Sequence, residues 1–532
     1  MKAATLRRFK AVHSTVGMLT GLLLFVAFFA GALTLFHHPL EAWAEAGPGP
    51  AAARRESASA DRPQALDQAQ RLLDAVALQE PRLRADLRLV LPGEGEAGPR
   101  VVAQDPQRRV LRQFELDEHG ALQERAERGE LADFLYRLHY TAGIPAPWGT
   151  YVLGLVSLLY GLALVSGVVI YAPVLMRDLM AMRWGHNLKR LWQDVHNALG
   201  MLSLPFHLVF AWSGAVLGLG ALLLAPFQLL VYDGKLIDII GPQAGFSRPV
   251  PAQRVPAPLR SVAELVAAAE QAVPGLVAER LHLRLIGDAA AHVEVDGRVD
   301  QRRLSPFARV ELQGSTARVV AFMTPQTYSL GTALLRGLQS LHFGDYAGWL
   351  LRWLYFALAL GAALLFYSGN LLWVESRRRH QQVLQPGRAL LMARLTVGAA
   401  LGCVAGVAAL FVLVRLAGQG ASGPWLPTVY FAVLLAALLW ALYRPLALAA
   451  QQLCVVAALL GAGIVVADVW ALGALALTEA ARGELTLLSV DLLALGGAAL
   501  LLAASRSVRR RALTGPAHSV WALPQPAATA PR

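Results

Sequence analysis

Eight apolar segments, each close to the length of a membrane-spanning helix, constrain this chain more than any other feature of its 532 residues. A helix that crosses a bilayer needs about 20 mostly apolar residues. The runs that approach this length are Val16–Leu35, Tyr151–Tyr171, Leu199–Leu219, Leu350–Trp373, Leu395–Leu413, Trp425–Tyr443, Cys454–Leu475 and Leu487–Ala503. Charged residues make up only 16% of the chain, whereas a soluble protein usually has about 25%. The sequence therefore predicts an α-helical integral membrane protein and disfavours a cytosolic enzyme.

Basic residues predict how these helices cross the membrane. They cluster in four segments that fall on one side if eight helices alternate, and cytoplasmic loops carry an excess of Lys and Arg. The four groups are Lys2, Arg7, Arg8 and Lys10; Arg177, Arg183, Lys189 and Arg190; Arg377, Arg378, Arg379, Arg388 and Arg394; and Arg506, Arg509, Arg510 and Arg511. We therefore expect a multi-pass membrane protein with cytoplasmic termini. The net charge of +12 reflects this topology and does not indicate nucleic-acid binding.

Two long polar segments, Glu41–Ala146 and Asp233–Leu341, are expected on the periplasmic side. Each contains a short amphipathic helix followed by alternating apolar and polar residues, which are typical of strands. The predicted helices are Ala65–Leu78 and Val262–Val273, the latter capped by Ser261, and the predicted strands are Leu87–Leu91, Val110–Leu116, Leu281–Leu285 and His292–Val295. The segments therefore predict two small α+β modules, and the Ala-, Pro- and Gly-rich stretch Gly47–Arg62 predicts a linker.

These observations predict seven parts of the chain. They are residues 1–39, the first transmembrane helix; 40–146, the first module; 147–232, helices two and three with their loop; 233–341, the second module; 342–380, the fourth helix; 381–505, a further four-helix membrane region; and 506–532, a cytoplasmic tail.

An internal repeat relates residues 1–175 to residues 185–376. The matching segments are Val12–Leu19 with Val195–Leu202, Phe29–Ala32 with Trp212–Ala215, Leu135–Tyr140 with Leu338–Phe343, and Val165–Gly167 with Tyr367–Gly369. Each copy is a helix, a module and a returning helix. Two such copies predict a four-helix bundle, to which the last four spans are appended.

The repeat aligns four histidines in two pairs. His13 matches His196 at one depth of the membrane, and His139 matches His342 at the other side. Paired imidazoles with apolar and small neighbours, and no adjacent carboxylate, are typical axial ligands of haem iron. Glycines that could open a slot for the flat ring are Gly17, Gly21, Gly200 and Gly214. Cys403 and Cys454 lie in apolar runs, so no disulfide framework, zinc motif or c-type haem motif is predicted.

His207 is a fifth candidate, because a histidine deep in a membrane helix is costly unless it has a partner. We expect it to bind the haem of the outer pair or to contact a proton or a quinone. His37 and His38 are interpreted as interfacial residues. The histidines of the polar segments and tails are assigned no role; they are His119, His282, His292, His380 and His518.

With these motifs, the chain resembles the PepSY-associated transmembrane-helix family, which includes ferric-siderophore reductases of the inner membrane. The resemblance rests on the paired histidines, the Ser-Gly helix ends, the third-helix segment Pro205–Gly214 and the PepSY-like segment Ser261–Pro274, and it covers residues 5–380. It implies two b-type haems and electron transfer that reduces ferric iron held by a siderophore or another chelate. The axial ligands would be His13, His196, His139 and His342.

The electron donor is expected to be external, because no Gly-x-Gly-x-x-Gly follows a predicted strand. Membrane quinol and a cytoplasmic flavoprotein are the two candidates. Two other functions stay open at this point. One is a permease for iron chelates or metal ions, and the other is a non-enzymatic PepSY sensor or inhibitor. One chain alone can supply both histidines of each pair, since the repeat gives it an internal pseudo-twofold axis.

Overall fold

The structure is a computed structural model that describes most of the chain in two compact units. It covers residues 3–46, 62–93, 98–104, 111–117, 119–125, 130–175, 183, 187–244, 250–300, 302–378, 386–418, 423–482 and 484–523. The predicted linker Gly47–Arg62 lies outside these residues except for Arg62. The helix unit comprises Met1–Ala44, Gly129–Gly220 and Leu354–Arg532, and the sheet unit comprises Glu45–Arg128 and Ala221–Trp353.

Most of the described residues lie in helices, and these residues form sixteen α-helices. They are α1 (Ala3–Thr34), α2 (His37–Glu45), α3 (Arg62–Gln79), α4 (Glu130–Thr141), α5 (Trp148–Tyr171), α6 (Leu188–Leu202), α7 (Leu204–Pro226), α8 (Leu236–Ala244), α9 (Val262–Ala272), α10 (Leu330–Phe343), α11 (Gly348–Ser376), α12 (Gly387–Ala417), α13 (Trp425–Tyr443), α14 (Leu446–Leu472), α15 (Leu475–Ala481) and α16 (Thr486–Thr514). Eight of the helices among the described residues are long and apolar enough to cross a membrane, which confirms the predicted multi-pass membrane protein.

The third spanning segment begins later than predicted. The apolar run starts at Leu199, but α6 ends at Leu202 and the spanning helix α7 starts at Leu204. The break has two local causes. The Ser203 hydroxyl hydrogen-bonds to the Leu199 carbonyl, and Pro205 in the first turn of α7 has no backbone N–H. His196 therefore lies on a separate amphipathic helix rather than at the start of the span.

Small residues shape the last four spans. Gly398, Gly402 and Gly406 follow one another every four residues along α12. A Cβ atom at these positions would lie 2.9 Å from the Cα atom of Leu438, from the Cβ atom of Ala437 and from a ring carbon of Tyr430, respectively. The glycines therefore allow α12 and α13 to pack backbone against backbone, which is a common way for membrane helices to associate.

The sheet unit contains one eight-stranded antiparallel sheet. Its strands are β1 (Asp86–Val90), β2 (Arg100–Gln104), β3 (Leu111–Leu116), β4 (Leu122–Arg125), β5 (Leu276–Arg284), β6 (His292–Val299), β7 (Phe307–Gln313) and β8 (Val319–Met323). The order is β4-β3-β2-β1-β5-β6-β7-β8. The apolar face packs against α3 and α9, where Leu72, Leu265, Leu89 and Leu281 are fully buried.

The local elements of the polar segments confirm the predictions from sequence. Ser261 forms a capping box with Glu264 at the start of α9, and the alternating segments are the strands β1, β3, β5 and β6. The expectation of two separate modules, residues 40–146 and 233–341, needs correction. β1 and β5 pair directly, with Leu87 opposite Leu283. Both segments expose an unpaired strand edge if they fold alone, and pairing those edges satisfies the backbone groups.

Candidate functional site

His13 and His196 lie next to each other in the helix unit. The two ring centroids are 6.0 Å apart, and the ring planes are inclined by 74°. His13 is on α1 and His196 on α6, so the structure brings together the two histidines that the repeat aligns. Two imidazoles bound to opposite sides of one metal ion at about 2 Å have their centroids about 6 Å apart. The observed spacing fits an iron ion between the rings.

Backbone hydrogen bonds orient both rings. Nδ1 of His13 donates to the carbonyl of Ala163 at 2.8 Å, and Nδ1 of His196 donates to the carbonyl of Leu365 at 3.1 Å. Among the described residues, none hydrogen-bonds to Nε2 of either histidine. Metal-binding histidines typically donate one ring N–H to a carbonyl and use the other nitrogen as the ligand. Both imidazoles are therefore held in the tautomer that a metal ion needs at Nε2.

A glycine accompanies each of these carbonyls. A Cβ atom at Gly167 would lie 3.0 Å from Cε1 of His13, and one at Gly369 would lie 3.0 Å from Cε1 of His196. Gly167 follows Ala163 by four residues, as Gly369 follows Leu365. In a helix, a backbone carbonyl points toward the residue four positions later. A histidine ring that hydrogen-bonds to the carbonyl must therefore lie over that later residue, where glycine leaves room for the ring. We call this arrangement the carbonyl–glycine pair, and it explains the Ser-Gly motif of the repeat.

His139 uses a third carbonyl–glycine pair. Its Nδ1 donates to the carbonyl of Ala27 at 2.7 Å, and a Cβ atom at Gly31 would lie 2.6 Å from that nitrogen. The helix α4 lies along α1, so His139 reaches the apolar span from outside it. Gly31 belongs to another repeated motif, so the repeat contained the signal that identifies all three glycines. The glycines predicted to open a haem slot, Gly17, Gly21, Gly200 and Gly214, take no part in these three pairs.

The surroundings of His13 and His196 also suit a large cofactor with polar groups at its edge. Two buried donors, Nδ2 of Asn370 and Nε1 of Trp192, have no hydrogen-bond partner in the described part of the chain. Asn370 follows Gly369, and Trp192 precedes His196 by one helical turn. A Cβ atom at Gly17 would meet no described heavy atom within 4 Å. Free donors and open space beside paired imidazoles fit a haem, whose carboxylate groups accept hydrogen bonds.

His342 belongs to the sheet unit, where it lies near the end of α10. Gly344 follows that helix with a φ of 62°, which is the left-handed conformation typical of a helix C-terminus. His139 lies in the helix unit instead, and its pairing with His342 stays a prediction.

His207 has partners for both ring nitrogens. It is fully buried, its Nδ1 is 2.6 Å from the Tyr160 hydroxyl, and its Nε2 is 2.9 Å from the Ser203 hydroxyl. Ser203 donates its own hydrogen to the Leu199 carbonyl, so Nε2 donates to Ser203 and the Tyr160 hydroxyl donates to Nδ1. Because both nitrogens are bonded to protein hydroxyls, neither is free to bind haem iron in this arrangement, and the predicted contact with a proton or a quinone stays a prediction.

Aromatic side chains surround Tyr160 in the middle of the helix unit. Phe28 lies 5.9 Å from Tyr160 and 5.3 Å from Phe366, centroid to centroid. The cluster continues through Phe206, Phe210 and Tyr355 at centroid distances of 4.2 to 6.3 Å. Phe28 adjoins Ala27, the residue that His139 contacts. On α1 the aromatic cluster therefore begins next to the residue that His139 contacts.

The part of the chain that contains the repeat matches a known protein family. The profile of a family described as PepSY-associated TM region matches residues 10–376. An uncharacterized protein of Pseudomonas aeruginosa is 32% identical over 349 residues, which cover 61% of this chain and 85% of the relative. The family match spans α1 to α11 and ends before the last four spanning helices. This chain belongs to the PepSY-associated transmembrane family.

Proposed function

We propose that the protein is a haem b electron-transfer protein of the bacterial inner membrane that reduces ferric iron in siderophores or other chelates. The observation that carries the proposal is the His13–His196 pair, with centroids 6.0 Å apart and each Nδ1 bound to a backbone carbonyl. When bound, haem accepts and releases one electron at a potential that the axial ligands and their surroundings set. In this proposal the protein is a transmembrane ferric-siderophore reductase.

The chain's own residues would hold two haem b groups at different levels. His13 and His196 would hold one, and His139 and His342 the other. His13 and Ala27, the contact of His139, are fourteen residues apart on α1, which is about 21 Å of helix. The carbonyl–glycine pairs orient the imidazoles, and the aromatic cluster excludes water from the helix unit.

The charge bias of the loops supports a direction for the electrons. Lys and Arg residues flank the helices at the His13 level, among them Arg7, Arg8 and Lys189. In this proposal that level faces the cytoplasm, where membrane quinol or a cytoplasmic flavoprotein donates electrons. The polar segments then face the periplasm, where the ferric chelate accepts them near His139 and His342. A chelate too large to enter the bundle receives electrons without a protein ligand to its iron.

The test uses the full chain in proteoliposomes with reductant inside and a ferric siderophore and a ferrous trap outside. We expect a reduced low-spin b-type spectrum, and ferrous iron outside without iron in the lumen. Iron in the lumen would instead support a permease. A protein that stays colourless after growth with adequate haem would contradict the proposal and support a sensor or inhibitor.

A further inference from the structure

A second histidine cluster, outside the pairs described above, lies just beyond the end of α1. It consists of His37, His38 and Glu41 on α2. One ligand atom from each of the three side chains lies within 4.8 Å of the other two. The His38 side chain is 52% exposed and those of His37 and Glu41 are 28% and 18% exposed, so an ion can reach the cluster from solvent.

The break between α1 and α2 creates this cluster. α1 ends at Thr34, and α2 restarts the helix at His37. Glu41 is four residues after His37 and three after His38, and both spacings place side chains on one helix face. The Glu41 carboxylate is 3.5 Å from Nδ1 of His37 and 3.2 Å from Nδ1 of His38. One carboxylate therefore faces both imidazoles.

A second carboxylate reaches the cluster from another helix. Oδ1 of Asp133 on α4 is 3.1 Å from Nε2 of His37. His139 follows Asp133 on the same helix by six residues, and Tyr136 lies halfway between them. The Tyr136 ring is perpendicular to the His37 ring at a centroid distance of 6.4 Å. The cluster therefore contacts the same helix, α4, that carries His139.

We propose that His37, His38 and Glu41 form a binding site for a divalent first-row transition-metal ion, with Asp133 as a second carboxylate that accepts a hydrogen bond from Nε2 of His37. Two imidazoles and a carboxylate are a ligand set typical of Fe²⁺ and also suit Zn²⁺. Ligand atoms on one such ion are about 3–4 Å apart, so small side-chain rotations complete the site. The carboxylates balance the charge of the ion.

The position of the site indicates what it does if the proposed function is correct. Reduction of a ferric chelate beside His139 produces Fe²⁺, for which siderophores have low affinity compared with Fe³⁺. His37 is only six residues from Gly31, which contacts His139. The site would then receive the Fe²⁺ that leaves the chelate. This second step rests on the proposed function, whereas metal binding itself does not.

The first experiment measures metal binding to the detergent-solubilised full chain after chelator treatment. Fe²⁺ without oxygen and Zn²⁺ are each titrated in competition with a fluorescent chelator. We expect one ion per chain, Zn²⁺ bound more tightly than Fe²⁺, and at least tenfold weaker binding in the His38→Ala and Glu41→Gln variants. His119→Ala is the matched control, because His119 is an exposed histidine of the sheet unit. Equal binding by all four proteins, or none by the wild type, would overturn the proposal.

The second experiment separates the site from the proposed reductase. Wild-type and His38→Ala proteoliposomes reduce an external ferric siderophore without a trap, and protein-bound Fe²⁺ is counted after gel filtration. We expect one Fe²⁺ per wild-type chain, less than a tenth of that in the variant, and unchanged haem spectra. Reduction without bound Fe²⁺ in the wild type would refute the capture role. Absence of reduction in both proteins would refute the reductase, while the competition titration would still decide the metal site.

Discussion

The hydroxyl of Tyr160 donates a hydrogen bond of 2.6 Å to Nδ1 of His207, and both side chains are almost completely buried. The pair joins α5 to α7, and Ser203 extends it to the Leu199 carbonyl. A buried imidazole is stable only while its nitrogens have partners. The hydrogen bond therefore explains how a polar side chain is tolerated among the aromatic residues of the helix unit.

Replacement of Tyr160 by Phe should destabilise the protein without removing haem. The change leaves the acceptor Nδ1 of His207 buried and unpaired, which costs about 1–3 kcal/mol. Thermal unfolding in detergent measures the loss. Tyr443→Phe is the control, because Tyr443 is 84% exposed at the end of α13. Equal unfolding temperatures for both variants would show that the hydrogen bond does not stabilise the fold.

His13→Ala and His196→Ala should each remove the same haem, since one iron requires both imidazoles. The double variant should therefore lose no more haem than either single variant. Pyridine haemochrome analysis of purified protein measures haem per chain. Independent losses that add in the double variant would contradict the shared site that the 6.0 Å ring separation supports.

Gly31→Ala should disturb His139, because the new methyl group would lie 2.6 Å from Nδ1 of that ring. We expect loss or spectral change of the haem assigned to His139, together with lower thermal stability. Gly496→Ala on α16 is the control, since its methyl group also meets no described atom within 4 Å and that helix carries none of the candidate histidines. That control should gain about 0.5–1 kcal/mol from helix propensity. A Gly31→Ala protein with unchanged spectrum and stability would refute the carbonyl–glycine pair at His139.

Asp468→Ala should be among the most destabilising changes in the helix unit. Asp468 on α14 accepts hydrogen bonds from Arg415 on α12 and, at 2.9 Å, from the Trp43 indole, and the Arg415 guanidinium lies 4.2 Å from the Trp43 ring. Removal of one buried partner leaves an uncompensated charge, at a cost of about 3–5 kcal/mol. The Arg415→Met, Asp468→Leu double variant should recover much of the unfolding temperature. A single variant as stable as the wild type would contradict this assignment.

The stability of the sheet unit should fall as pH rises above neutrality. Burial works to lower the pKa of His282 on β5, but hydrogen bonds to Asp86 on β1 and to Glu294 outweigh it and raise the pKa. Protonated His282 and its two carboxylate partners therefore stabilise the folded sheet unit fully below the ordinary histidine pKa of 6.5. This contribution to stability is lost as the pH rises through the raised pKa of His282. Thermal unfolding between about pH 6 and 9 should show a slope that His282→Gln reduces. A slope that this variant does not change would assign the effect to other groups.

The apolar runs and the repeat determined much of this protein without tertiary information. A bilayer requires continuous apolar helices of a set length, so the number of spans is visible in the sequence. The capping box at Ser261 and the strand alternation of β5 and β6 are equally local, because each depends on residues a few positions apart. The repeat likewise predicted that His13 and His196 lie close together, since two copies of one unit pack around a pseudo-twofold axis.

Only the tertiary structure decided which groups each histidine contacts. The carbonyls of Ala163, Leu365 and Ala27 are ordinary backbone groups, and the repeated glycine four residues after each one acquires its meaning only when a histidine ring packs over it. The Tyr160–His207 bond joins residues 47 positions apart, and β1 pairs with a strand almost 200 positions away. Such contacts depend on edges and faces that become adjacent when the chain folds. For that reason two predicted modules became a single sheet.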